Sequence, residues 1–135
     1  MLEFALVIGL LAALATGVAD AGSAFRIKHV LKIASREGAR WASVTPGLKK
    51  DDPRVLDRVD EILQESRISG AAGAVTPGDP ATGDPVTVEV SHEYHPLFPL
   101  IGLRGSVQLK SATTMRYEAA GPRVDAPPAG EAEPS

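Results

Sequence analysis

The chain has 135 residues and a mass of 14.1 kDa, room for about one ordinary domain. It contains no cysteine, which excludes disulfides, thiolate metal sites and a cysteine nucleophile. Aromatic residues make up 4% and the net charge is −3, a composition that excludes an aromatic stacking platform and argues against a nucleic-acid partner.

The first element is apolar. Phe4 to Ala19 carries no charge, and after Asp20 a second uncharged run extends from Ala21 to Phe25. A bilayer core of ~30 Å takes ~20 helical residues, so the run reaches across only when it continues to Phe25. A membrane-spanning helix is the leading reading. A cleaved secretory signal is a second, supported by Ala19-Asp20-Ala21 but opposed by Glu3 and the absence of Lys or Arg before the apolar run. A buried helix of a soluble domain is the third. Ala5, Gly9, Ala13, Gly17 and Ala21 recur at every fourth position and form one smooth stripe on a helix. Such stripes let helices approach closely in lipid, although small residues are also simply common there. Glu3 and Asp20 lie about 26 Å apart along the helix and mark opposite edges of the apolar slab. Each is either solvated at headgroup level or paired with a positive group of another chain.

No proline occurs before Pro46, and the pattern continues through Ile27, Val30, Leu31, Ala34, Gly38, Trp41 and Val44. That 3-4 rhythm predicts one amphipathic continuation, ending near Val44 ahead of Pro46 and Gly47. Residues 21–50 carry seven basic residues against Glu37 alone, while residues 51–135 carry seven basic and fourteen acidic residues. Lys28, Lys32, Arg36 and Arg40 form an i, i+4 ladder on one flank. The ladder reads as a solvated face, as a contact to anionic lipid heads, or as a contact to the acidic domain of a neighbouring subunit.

Asp52-Pro53 is an N-cap followed by proline, and Val55, Leu56, Val59, Ile62 and Leu63 share one face, which predicts a helix over 53–66. Residues 69–85 read as loop with a short edge strand at Ala74–Thr76. Val86–Tyr94 and Ser106–Tyr117 alternate as half-exposed strands. The segment Pro96–Leu103 is too apolar for an ordinary hairpin loop and is either a plug of the core or an exposed contact. Residues 119–135 lack a core-forming pattern and read as a disordered Pro/Ala/Glu tail.

Catalytic signals are weak. His92 and His95 fall on opposite faces of a strand and do not share a metal, and no Ser–His–Asp order or phosphate-loop spacing stands out. No catalytic residue, metal ligand or cofactor is expected, and an enzyme is not the expected function.

Three stretches form a pattern by their order and spacing: Met1–Val7, then Asp20-Ala21-Gly22 with Ala34–Arg40 (Ala-Ser-Arg-Glu-Gly-Ala-Arg), and last Val86–Val88 with Pro99–Gly102 and Ala112–Glu118. Together they resemble the TadE-like family of pilus-assembly pseudopilins from the bacterial tight-adherence system. The resemblance implies a membrane-held minor pilin, processed by a prepilin peptidase, in which Glu3 stands for the glutamate that neutralises the terminal amine of a neighbouring subunit. In the family that glutamate is fifth in the mature chain. The sequence is therefore expected to start two residues inside the mature protein, or at a misassigned start. The positive-inside rule would place the basic segment 26–50 in the cytoplasm. The resemblance places the C-terminal domain outside, and that orientation is the one expected.

The expected architecture is α+β and pilin-like: a long N-terminal membrane-spanning helix, a second helix and a small antiparallel sheet. Residues 1–25 are the transmembrane part of the stem, 26–45 its extramembrane half, 46–118 the globular domain and 119–135 the tail. The expected function is a structural subunit of a tight-adherence type IV pilus, single-pass in the bacterial inner membrane or carried into the surface pilus. Its expected partners are other pilin or pseudopilin subunits, met through the stem. The alternative is a single-pass anchored binding module outside a pilus.

Overall fold

A computed structural model of the protein describes residues 2–96 and 105–119. Helix α1 runs unbroken over Leu2–Val44, 43 residues, and α2 over Pro53–Glu65. Three strands follow, β1 (Ala71–Thr76), β2 (Pro85–Tyr94) and β3 (Val107–Arg116). They form one antiparallel sheet in the order β1-β2-β3. This is the expected α+β architecture, with each expected element present within a few residues of its expected bounds. The expected plug or contact at Pro96–Leu103 falls, apart from Pro96, outside the described residues, as does the tail beyond Ala119.

The helices form one layer and the sheet the other. The upper half of α1 lies over β2 and β3, and α2 lies beside it over β1. The core between the layers is built from Leu31, Ala34, Ala39 and Ala42 of α1, Val55, Val59 and Leu63 of α2, and Val75, Val86, Val88 and Val90 of the sheet. On β2 the buried valines alternate with half-buried Thr87, Glu89 and Ser91, as a strand with one covered face requires.

The seat of α1 is narrow. A Cβ at Gly38 would stand 2.7 Å from Val59 Cγ2 and 3.0 Å from Val88 Cγ1, so glycine is what lets helix, helix and sheet meet there. Two residues expected on the covered face are accordingly displaced from it. Trp41 and Val44 are 47% and 55% exposed, and Ala42 and Ser43 take the buried positions instead. Eleven residues make just over three helical turns, so the line from Leu31 arrives at Ala42, and only a small side chain fits a backbone held this close.

Polar groups in the seat are paired. Ser35 Oγ donates to the Lys32 carbonyl at 3.1 Å or to the hydroxyls of Ser111 at 3.2 Å and Thr113 at 3.0 Å. The last turn of α1 leaves carbonyls without intrahelical donors, and the end of β3 supplies them. Glu118 and Ala119 N–H donate to the Ser43 carbonyl at 2.8 and 3.1 Å, and the Tyr117 hydroxyl to the Thr45 carbonyl at 2.8 Å. Pro46 then stops the helix, and Gly47, at φ +61°, makes the turn.

Asp52 caps α2 as expected. Its carboxylate accepts from the Arg54 amide at 3.0 Å and the Lys49 amide at 3.3 Å, and from Arg54 Nε and Nη2 at 3.0 and 2.8 Å. The side chain is only 2% exposed. The Arg54 bond outweighs burial and holds the carboxyl well below its ordinary 3.8, at about 2.

Two outcomes are expected from this packing. Gly38→Val overfills the seat and lowers stability by about 1–3 kcal/mol in denaturant unfolding of the detergent-solubilised chain. Gly22→Ala, where nothing lies within 4 Å, is neutral or stabilising by up to about 1 kcal/mol. Because the folded-state acidity of Asp52 is shifted downward, its stabilisation is full above the ordinary carboxylate range and fades as pH falls from about 4 through about 2. Asp52→Asn should flatten that acid limb in unfolding midpoints measured across pH, and Asp52→Ala should cost about 0.5–2 kcal/mol at neutral pH.

Candidate assembly surface of the stem helix

Below the domain, α1 stands alone. Phe4, Leu6, Val7, Ile8, Leu10, Leu11, Leu14 and Val18 are each at least half exposed. Alanine and leucine dominate this stretch, so helix propensity and backbone bonding favour the helix where tertiary contact is absent. The helix is long and apolar enough to cross a membrane, and none of its most apolar stretch is buried in the protein. Leaving so large an apolar surface in water is unfavourable, and a bilayer or neighbouring helices would remove it.

The small-residue stripe lies on this bare stretch. At Gly9, Gly17 and Gly22 an added Cβ would meet nothing within 4 Å. Ala13 precedes Leu31 by five helical turns, so the stripe of Ala5, Gly9, Ala13, Gly17 and Ala21 centres on the same side of α1 that packs on the sheet higher up. The smooth side that accommodates close approach within the chain thus continues below the domain, where an added Cβ at Gly9 or Gly17 would meet nothing within 4 Å. Thr16 does not interrupt the stripe with a free hydroxyl, since its Oγ1 donates back to the Ala13 carbonyl at 2.9 Å.

The two stem carboxylates have different surroundings. Glu3 is exposed in the first turn and has no ion-pair partner among the described residues. Asp20 is half-buried, because the last residue of β2 reaches it. Tyr94 Oη donates to the Asp20 carbonyl at 3.2 Å and lies 3.5 Å from its Oδ1. Burial first, and the Asp20 charge second, raise the Tyr94 hydroxyl above its ordinary value, so it remains a donor at neutral pH. Among the described residues, the Tyr94–Asp20 bond is the hydrogen bond between domain and stem nearest the N-terminal end of the helix. The part of Tyr94 was not evident from the sequence, although it ends the inward alternation of Val86, Val88, Val90 and His92.

The basic ladder is exposed along its length. Lys28, Lys32 and Arg36 have no ion-pair partner among the described residues, and Arg40 makes only a loose contact of 3.9 Å with Glu37. No group of three His, Asp or Glu residues among those described is placed to hold a metal.

A bare apolar helix, long enough to cross a membrane, that continues as the spine of a small α+β domain suggests a single-pass N-terminal anchor. The family model described as TadE-like protein matches residues 1–40, all but the last turn of the stem helix. This is the family that Met1–Val7 and Asp20–Gly22 with Ala34–Arg40 resemble; the likeness of residues 86–118 lies outside the matched segment. No curated protein and no solved structure matches the chain.

Tyr94→Phe removes the hydroxyl that ties β2 to the stem. Hydrogen exchange of the amides around Tyr94 and Asp20 should quicken, with a global stability loss of about 0.5–1.5 kcal/mol. Exchange at Val86–Val90 should change only by that global amount.

Proposed function

We propose that the protein is a membrane-anchored structural subunit, a TadE-like minor pilin or pseudopilin that acts in assembly of a tight-adherence type IV pilus. The observation that carries this reading is the coincidence of the TadE-like match at residues 1–40 with a helix whose lower half is uncovered by its own domain. The stem then does two jobs with one helix: it holds the chain in the inner membrane and offers a packing side to other pilin subunits.

In this reading residues 1–25 lie in the bilayer, 26–45 rise from it, 46–118 form the domain outside the cytoplasm, and 119–135 form the tail. On the domain side the membrane surface lies at the Asp20–Tyr94 contact, where an aromatic ring with a polar tip is favoured. On the far side Phe25, 73% exposed, carries the apolar surface about a turn higher. Glu3, at the opposite edge, pairs with the positive group of a neighbouring subunit, and a prepilin peptidase processes the chain. The role is structural rather than catalytic.

The stripe and Glu3 supply the test. Gly9→Leu with Gly17→Leu should leave membrane insertion intact, since leucine suits lipid, but hold a neighbouring helix away. Co-purification with other pilin components should fall severalfold, while Val7→Leu with Val18→Leu preserves it. Glu3→Gln should likewise reduce complex yield without altering membrane localisation. Equal yields from both leucine pairs would remove the packing role of the stripe and favour an anchored binding module.

A further inference from the structure

The domain carries a basic row on one side and an acidic row on the other, and most of these charges have no ion-pair partner among the described residues. On one side stands the stem ladder. Ser35 bonds Ser111 and Thr113 of β3, and helical spacing places Lys28, Lys32 and Arg36 beyond Ser35 on that β3 flank. Exposed Phe25, His29 and Ile33 lie alongside them. On the other side stands α2. Its Val55 and Val59 face the stem at Gly38 and its Leu56 faces β1 at Gly73, so the remaining arc of the helix is open. That arc carries Asp57, Asp60, Glu61 and Glu65, all exposed. Glu61 is held by Arg58, but Asp57, Asp60 and Glu65 have no ion-pair partner among the described residues.

The spacings agree. Lys28, Lys32 and Arg36 repeat every four residues, as do Asp57, Glu61 and Glu65, and each ladder spans about 12 Å of helix. The two ladders lie on opposite sides of the helical layer, so they do not neutralise each other within one chain. A surface whose complement lies on the far side of the same molecule forms a heterologous contact, which repeats from copy to copy.

We infer that a second copy of this chain docks on the basic flank of the stem, presenting the acidic face of its α2 to Lys28, Lys32 and Arg36. The inference deepens the proposed function and rests on it, because a repeating side-by-side contact is useful to a subunit that assembles. It assigns the ladder to a protein partner rather than to lipid. The exposed Ile33 supplies apolar area beside the charges, and the charges set which faces meet.

Full chains bearing two different affinity tags, co-expressed and solubilised in mild detergent at low salt, provide the test. Wild-type copies should capture one another, and capture should fall at least tenfold at high salt as the charges are screened. Lys28→Glu/Lys32→Glu/Arg36→Glu should abolish self-capture, as should Asp57→Lys/Asp60→Lys/Glu65→Lys. A mixture of these two variants should recover capture, because the reversed flank of one then meets the reversed helix of the other. Recovery also shows that both variants are folded. Undiminished capture in either variant, loss without recovery in the mixed pair, or absence of wild-type self-capture would each overturn the inference. None of these results bears on Glu3, Gly9 or Gly17, so the proposed function stands or falls by its own experiment.

Discussion

The close seat of α1 on the central strand governs the rest of the structure. Helix and sheet meet where Ala34, Gly38 and Ala42 lie against a floor of Val86, Val88 and Val90, and α2 fits beside them through Val55 and Val59. Valines stiff at χ1 make a firm surface, and small residues on the helix let the backbones approach until dispersion contacts are dense. The short sheet could not bury its inner face without the stem, and the upper stem would expose Leu31 and its neighbours without the sheet. Membrane anchor and folded domain are thus one cooperative object, sharing a helix rather than joined by a linker.

Polar chemistry fixes where the two layers meet. The cluster of Ser35, Ser111 and Thr113 pins the middle of the stem to β3, and the carbonyls of Ser43 and Thr45 receive the chain as it leaves that strand. The Tyr94–Asp20 bond closes the lower end. These are short-range contacts with directional demands, spread along the helix from Asp20 to Thr45. Apolar packing alone tolerates sliding; a hydroxyl paired with a specific carbonyl does not.

Much of this was legible in the residues. The bounds of α1 followed from the absence of proline before Pro46 and from Gly47 behind it, and α2 was announced by Asp52-Pro53. β2 and β3 were legible from alternation, whereas β1 was legible only over Ala74–Thr76 and in fact begins at Ala71, in a stretch of Ala and Gly that carries no alternating signal. The rotation of the upper stem was not. Counting apolar residues favoured Trp41 and Val44 because hydrophobicity was the signal, whereas the seat selects for size, and Ala42 is the residue that fits. The Asp20–Tyr94 contact was equally hidden, since it joins residues 74 apart in sequence through the length of β2 and its register on the stem. For the candidate site, the stripe and the basic ladder are features of one helix and could be read from periodicity. That the stripe follows the sheet-packing side, and that the ladder stands away from α2, needed the assembled fold.

The unbroken course of α1 has a mechanical consequence. A helix of 43 residues extends about 65 Å, and neither a proline nor a break in its backbone interrupts it. The tilt or twist that the lower half adopts among lipids or neighbours is therefore passed through the same helix to the domain above. The azimuth of the domain is locked to that of the stripe, and every residue added or removed between them would swing one against the other by about 100°. The number of residues between Ala21 and Leu31 is therefore itself a structural parameter, a phase angle written in chain length.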